Sequence, residues 1–153
     1  MSTRSLKSIF LNRGTILQQC VVEAFDLMTR YYDENRIHIE GWKTNDAWRV
    51  NRRVVLPRIV DVWYGGDGHL TYGDTRQNLN DIDRALAFLE GKKLESVPRT
   101  VVCALEEHFK EYGPDFSGVL FESTYFEMRC YKKGTLHMYF KDKELWEQFN
   151  LTA

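Results

Sequence analysis

A glutamate, an arginine, a histidine and three tyrosines stand within seventeen residues, TYFEMRCYKKGTLHMYF (124–140). Glu127, Arg129, His137 and Tyr139 are the side-chain types that metal-independent phosphodiester cleavage uses. One group takes the proton of a 2′-hydroxyl, another protonates the leaving oxygen, and a cation offsets charge on phosphorus. Histidine titrates close to neutrality and suits such transfers. The same types also clothe the exposed face of an ordinary sheet, where cross-strand pairs contribute about 0.2–1 kcal/mol each. Spacing alone leaves three readings open: a structural surface, a binding surface and a catalytic one.

Whether these residues share a surface depends on the turn between them. A three-residue loop, Lys132-Lys133-Gly134, with its glycine in the left-handed region, is a common hairpin connection. It pairs Tyr131 with Thr135 and sets the register beyond. Cys130 then faces Leu136, Met128 faces Met138, and Phe126 faces Phe140, so one side is wholly apolar. Arg129 meets His137 and Glu127 meets Tyr139 on the other side, flanked by Tyr125, Tyr131 and Lys141. A two-residue loop would mix the two sides, which argues for the triplet.

A second stretch carries charge. GWKTNDAWRVNRRVVLPR (41–58) holds Lys43, Arg49, Arg52, Arg53 and Arg58 against Asp46 alone, interleaved with Trp42 and Trp48. Basic side chains neutralise phosphates and exposed indoles stack on bases. Lys132, Lys133 and Lys141 extend that surface if the two regions meet. The competing reading buries both tryptophans in the core. GGDGHLTYGD (65–74) matches neither a phosphate-binding loop nor a calcium loop and reads as a flexible connection with room for a brief extended piece. His38, His69 and His108 lack the paired spacing of a metal site, so neither metal nor cofactor is expected.

These residues need a scaffold, and composition bounds it. The chain has 153 residues, 43% hydrophobic and 28% charged, which suits one globular domain, 15–153, behind a flexible arm at 1–14. No apolar stretch approaches the ~20 residues of a membrane span, and the amino end does not read as a secretory signal. Cys20, Cys103 and Cys130 are odd in number and sit on apolar faces. They read as buried thiols in a reducing compartment, which implies the cytoplasm. Net charge is −1, yet residues 1–60 hold ten Lys and Arg against six Asp and Glu, while 61–125 hold six against twelve. A basic front and an acidic middle suit an anionic partner at one end.

Periodicity supplies the elements. Residues 15–32 space Leu17, Val21, Ala24, Phe25, Met28 and Tyr32 helically after a Thr15 cap. The run 49–65 is open between two readings: its valines favour a strand, but Asn51, Arg53, Pro57, Arg58 and Asp61 line one side of a helix, and a mostly buried helix is favoured. Further helices are expected at 78–91 and at 96–114, the latter opened by Ser96 and Pro98 and carrying Tyr112 inward. The period then changes to two over 116–122, 125–131 and 135–140, a three-stranded antiparallel meander. Asp142 caps a short closing helix. The predicted fold is α+β, with about four helices packed on that meander.

RCYKKGTLHMYF and the capped helix after it resemble the carboxy-terminal end of an uncharacterised domain family. Its members occur in bacterial, plasmid and prophage proteins, some of them appended to adenine-DNA methyltransferase modules. The shared pattern is an apolar-Arg-apolar-Tyr strand, Lys-x-Gly-Thr/Asn, then a small or apolar residue and His. Arg129, Tyr131, Lys132, Gly134, Thr135 and His137 match it. Upstream, Thr44, Asn45, Arg52 and Arg53 match a Thr-Asn segment leading into a basic helix. The likeness spans roughly residues 20–150, without the long helical front portion and without a methyltransferase signature, so a short stand-alone version is expected. The resemblance implies a mobile genetic element and contact with nucleic acid. It supplies no catalytic residues. A non-enzymatic nucleic-acid-binding or accessory domain is therefore expected first. A small metal-independent endoribonuclease and a protein-interaction module acting on host defence are the alternatives.

Overall fold

The structure, a computed structural model, describes residues 21–28, 36–38 and 48–152, with 36–38, 48 and 49 described as backbone only. The expected arm at 1–14, Cys20, Leu17, Tyr32, Trp42 and Lys43 lie outside those residues. Helix α1 (21–28) buries Val21, Ala24, Phe25 and Met28, as its spacing requires. Short strands β1 (Arg36–His38) and β2 (Trp48–Val50) pair antiparallel. Then follow β3 (Arg53–Leu56), the hairpin β4 (Val60–Val62) and β5 (Gly68–Leu70), and helices α2 (Thr75–Leu89) and α3 (Val101–Tyr112). Strands β6 (Phe121–Glu122), β7 (Phe126–Cys130) and β8 (Leu136–Phe140) lead to helix α4 (Lys143–Thr152). The fold is α+β, as expected.

The largest departure from expectation is the helix at 49–65, which is three strands. Val54 and Val55 are β-branched and stiff, and Pro57 inside a helix would lose a hydrogen bond and clash, at a cost of about 3 kcal/mol. Arg58 then turns the chain with φ 57°, a conformation no helix accommodates. The result is a sheet of four strands, not three, in the order β3-β8-β7-β6, with every neighbour antiparallel. The predicted strand 116–122 shrinks to Phe121–Glu122, because buried Phe116 anchors a turn through Gly118, whose φ is 79°. Helix α3 starts later than Ser96. Residues Leu94–Ser96 form a 3-10 turn, and the Thr100 hydroxyl caps the helix by accepting the Cys103 N–H at 3.2 Å.

The hairpin register is the expected one. Phe126 pairs with Phe140, Glu127 with Tyr139, Met128 with Met138, Arg129 with His137 and Cys130 with Leu136. Tyr131 N–H donates to Thr135 at 3.0 Å and Gly134 N–H to Tyr131 at 2.9 Å, closing the triplet loop with Gly134 at φ 109°. The Gly134 carbonyl in turn accepts the N–H groups of Ile59 and Val60. Replacing Gly134 with alanine is therefore expected to cost about 1–3 kcal/mol, since an L side chain is strained there. Its added methyl would also press the Val60 carbonyl at 3.3 Å. An unchanged urea midpoint for this variant would refute the turn.

One face of the sheet is oily. Val54, Leu56, Phe126, Met128, Leu136, Met138 and Phe140 are buried, and α2, α3 and α4 supply Leu79, Ile82, Leu86, Leu105, Leu145 and Phe149 to the same core. Asp142 caps α4 by accepting the N–H groups of Glu144 and Leu145. Buried Asn150 and half-buried Trp146 then tie α4 to the end of β2: Val50 N–H donates to Asn150 Oδ1 at 2.7 Å, and Trp146 Nε1–H to the Val50 carbonyl at 2.9 Å. Cys130 is buried, and burial pushes its thiol up to about 12. Cys103 corrects the expectation of a buried thiol: it is exposed on α3 beside Glu107.

Candidate functional site

The other face of the sheet is wet. Because β3 pairs with β8, Arg53 lies across from Tyr139 and Val55 across from His137. Two rows of side chains thus cross the face. One runs Arg53, Tyr139, Glu127, Glu122; the other runs Val55, His137, Arg129. Alternation within each strand puts all of these on the side away from the core. Of these, Arg53, Glu127, Arg129, His137 and Tyr139 line, with Leu120 and Tyr131, an open cleft of about 440 Å³. The basic segment and the hairpin meet because 53–56 is a strand, the very point on which the helical reading fails.

His137 is the centre of this surface. An Arg53 guanidinium nitrogen lies 3.1 Å from its Nδ1. A guanidinium only donates, so Nδ1 is the acceptor and the imidazole proton sits on Nε2. Partial burial first, and then the charges of Arg53, Lys133 and Arg129, hold the His137 pKa below its ordinary value. At neutral pH the ring is uncharged and its second nitrogen is a donor. The nitrogen that would serve as a base is already occupied by Arg53.

Tyr139 is 41% exposed and braced from one side. The Arg52 guanidinium carbon lies 4.8 Å from the centre of its ring. Arg52 is itself fixed, donating Nε–H to the Phe140 carbonyl and Nη2–H to the Lys141 carbonyl, each at 3.0 Å. Leu120, 54% exposed, is a second apolar patch at the cleft. Glu127 and Glu122 are cross-strand neighbours of like charge, and Lys141 offsets them through a 3.0 Å ion pair with Glu122. Cations therefore gather around His137, and carboxylates toward the β6 edge.

The remaining expected residues fall elsewhere. Tyr125 is buried, not on the wet face, because the alternation of β7 begins at Phe126. Burial, then a hydrogen bond to Glu90 and the charges of Glu90 and Asp83, raise its hydroxyl pKa. Arg58 faces a different depression beside Pro57, Asp74 and Thr75. Lys133 Nζ sits 5.9 Å from the Tyr131 ring centre, close to the cleft, whereas Lys132 reaches toward Gly66. Trp48 and Arg49 are described only as the backbone of β2, paired with His38 and Ile37. Tyr112 is exposed, contrary to its expected inward place.

GGDGHLTYGD is not a plain connection. It forms the turn and second strand of the β4–β5 hairpin, where the Trp63 and His69 rings stack at 3.8 Å and Tyr72 stands 6.5 Å from Trp63. These rings line a second cleft of about 520 Å³. Its one lining arginine, Arg76, is ion-paired to Glu106, whereas Arg53 of the first cleft bonds the neutral His137 ring. Among the described residues no three of His, Cys, Asp or Glu are grouped to hold a metal ion, and no helix is long and apolar enough to cross a membrane.

No curated protein matches the chain, and no solved structure does. The model of the family described as Domain of unknown function (DUF4942) matches residues 3–153, nearly the full length, and the chain belongs to that family.

Proposed function

We propose that the protein is a non-enzymatic nucleic-acid-binding or accessory domain that takes phosphates onto the wet face of the four-stranded sheet. One arrangement carries this reading: Arg53 of β3 and Arg129 of β7 flank His137 of β8, with Lys133 at the turn beside them. Three cations around a neutral imidazole that presents an N–H are a donor-rich anion surface. The occupied Nδ1 of His137 favours binding over proton transfer, so this reading stands ahead of a ribonuclease that uses His137 and Glu127. The likeness to plasmid and prophage proteins supports an accessory role in a mobile genetic element, with the cytoplasm as its location.

The test is a titration of labelled duplex and labelled single strand at two salt concentrations. Binding is expected at low salt, with the logarithm of affinity falling by about 0.7–0.9 per decade of salt for each phosphate contact. Arg53→Gln and Arg129→Gln are each expected to flatten that slope by about one contact. No binding of either nucleic acid at low salt removes the reading.

A further inference from the structure

The wet face carries more than charge. Tyr139 projects from it as an exposed ring whose brace, Arg52, is anchored by two N–H donors to backbone carbonyls. That guanidinium is held in place before any ligand arrives, so it steadies the ring. Arg53 lies on the strand to one side of Tyr139 and Glu127 on the strand to the other. From the nucleic-acid reading just given, on which this step rests, we infer that the ligand is single-stranded and that an unpaired base stacks on Tyr139, its flanking phosphates toward Arg53, Arg129 and the Nε2–H of His137.

Three features support a strand over a duplex. A duplex shows base edges in its grooves and keeps the base faces stacked inside, so an exposed tyrosine has no ring face to meet there. Among the described residues the wet face is a sheet surface with an open cleft and presents no helix that would enter a major groove. Rings set among cations are what sequence-tolerant single-strand surfaces use, since every base has a π-face and every link a charge. Glu127 fits the same picture. An ionised carboxylate only accepts, so it repels phosphate and receives the donors of a base edge, which orients the base on the ring.

Fluorescence anisotropy with a short labelled dT strand, and with that strand annealed to its complement, tests the inference at low salt. The free strand is expected to bind about tenfold more tightly than the duplex. Tyr139→Ala is expected to weaken strand binding by about tenfold, the loss of one stacked base, and to leave duplex binding unmoved. Tyr139→Phe keeps the ring and is expected to keep the affinity. Circular dichroism on each variant reports whether the fold is intact. Equal affinity for duplex and strand, or an unchanged Tyr139→Ala, overturns the single-strand inference while salt-dependent binding leaves the broader reading in place. Absence of binding to both forms overturns the two together. Displacement by polyglutamate as effective as by unlabelled strand also overturns both, for it marks a general anion surface.

Discussion

Raising the pH from about 4 to about 7 is expected to destabilise the fold by about 3 kcal/mol through a single carboxyl group, that of Asp83. Asp83 stands on α2 with no exposure to solvent. Its Oδ2 accepts the N–H of Val101, the first residue of α3, at 2.7 Å, and its Oδ1 has no hydrogen-bond partner among the described residues. Burial raises its pKa to about 7, and the Val101 hydrogen bond opposes that rise without cancelling it. The sign follows from proton counting. Between the unfolded value of about 4 and the folded value, the unfolded chain has released this proton and the folded chain still holds it. Stability therefore falls as pH rises through that window and levels off above it. Other carboxylates titrate in the same range, so the difference between wild type and Asp83→Asn isolates the effect. The asparagine still accepts from Val101 and cannot ionise. Its stability advantage over wild type, read from urea melts, is expected to grow from pH 4 to pH 7. A constant difference across that range would show that Asp83 is charged in the folded protein throughout.

Neither Asp83 nor its pairing with α3 is legible in the sequence. An aspartate in NLNDIDRALAFLEG has the look of a helix surface, and only the approach of α3's amino terminus turns it into a buried cap. The hairpin is the opposite case. Its turn, its register and its two faces follow from KKG and the alternation of apolar side chains, because a slip of one residue would carry the core set to the solvent side. The basic segment lies between these cases. Arg53, Val54, Val55 and Leu56 alternate in exposure as a strand should, but four residues are too few to outweigh a longer helical stripe read through Asn51, Pro57 and Asp61. That stripe disregarded the backbone. Proline and three nearby β-branched residues disfavour a helix more strongly than the charge pattern favours one. Strand pairing across more than eighty positions then brings Arg53 to His137, a contact that no local pattern encodes. Trp63, His69 and Tyr72 were hidden for a related reason: glycines mark a turn, and the strands beside it are only three residues each.

The two faces of one sheet are expected to answer mutation very differently, and Phe126→Ala is the sharpest test of that. Phe126 is fully buried on β7 and meets Phe140 edge-on at 4.8 Å. Phe140 lies 6.0 Å from Phe149 of α4, and Phe149 lies 6.2 Å from Phe25 of α1. This line of rings joins the sheet to two helices, so truncating its first member removes the buried ring, leaves a cavity and loosens the contact to Phe140. A cost of about 3–5 kcal/mol is expected, since dense interiors collapse only partly around a lost phenyl group. With a urea slope of about 1–3 kcal/mol per molar, the midpoint should fall by about 1 M or more. Tyr139→Ala, one residue before Phe140 and on the wet face, removes a ring of similar size. It is expected to cost about 1–2 kcal/mol, because two cross-strand pairs and one cation–π contact at an exposed site are what it loses. The contrast ties stability to one side of β8 and recognition to the other. A small cost for Phe126→Ala would mean that the oily face is paired differently from this register. A large cost for Tyr139→Ala would mean that the ring proposed to await a base is packed as core.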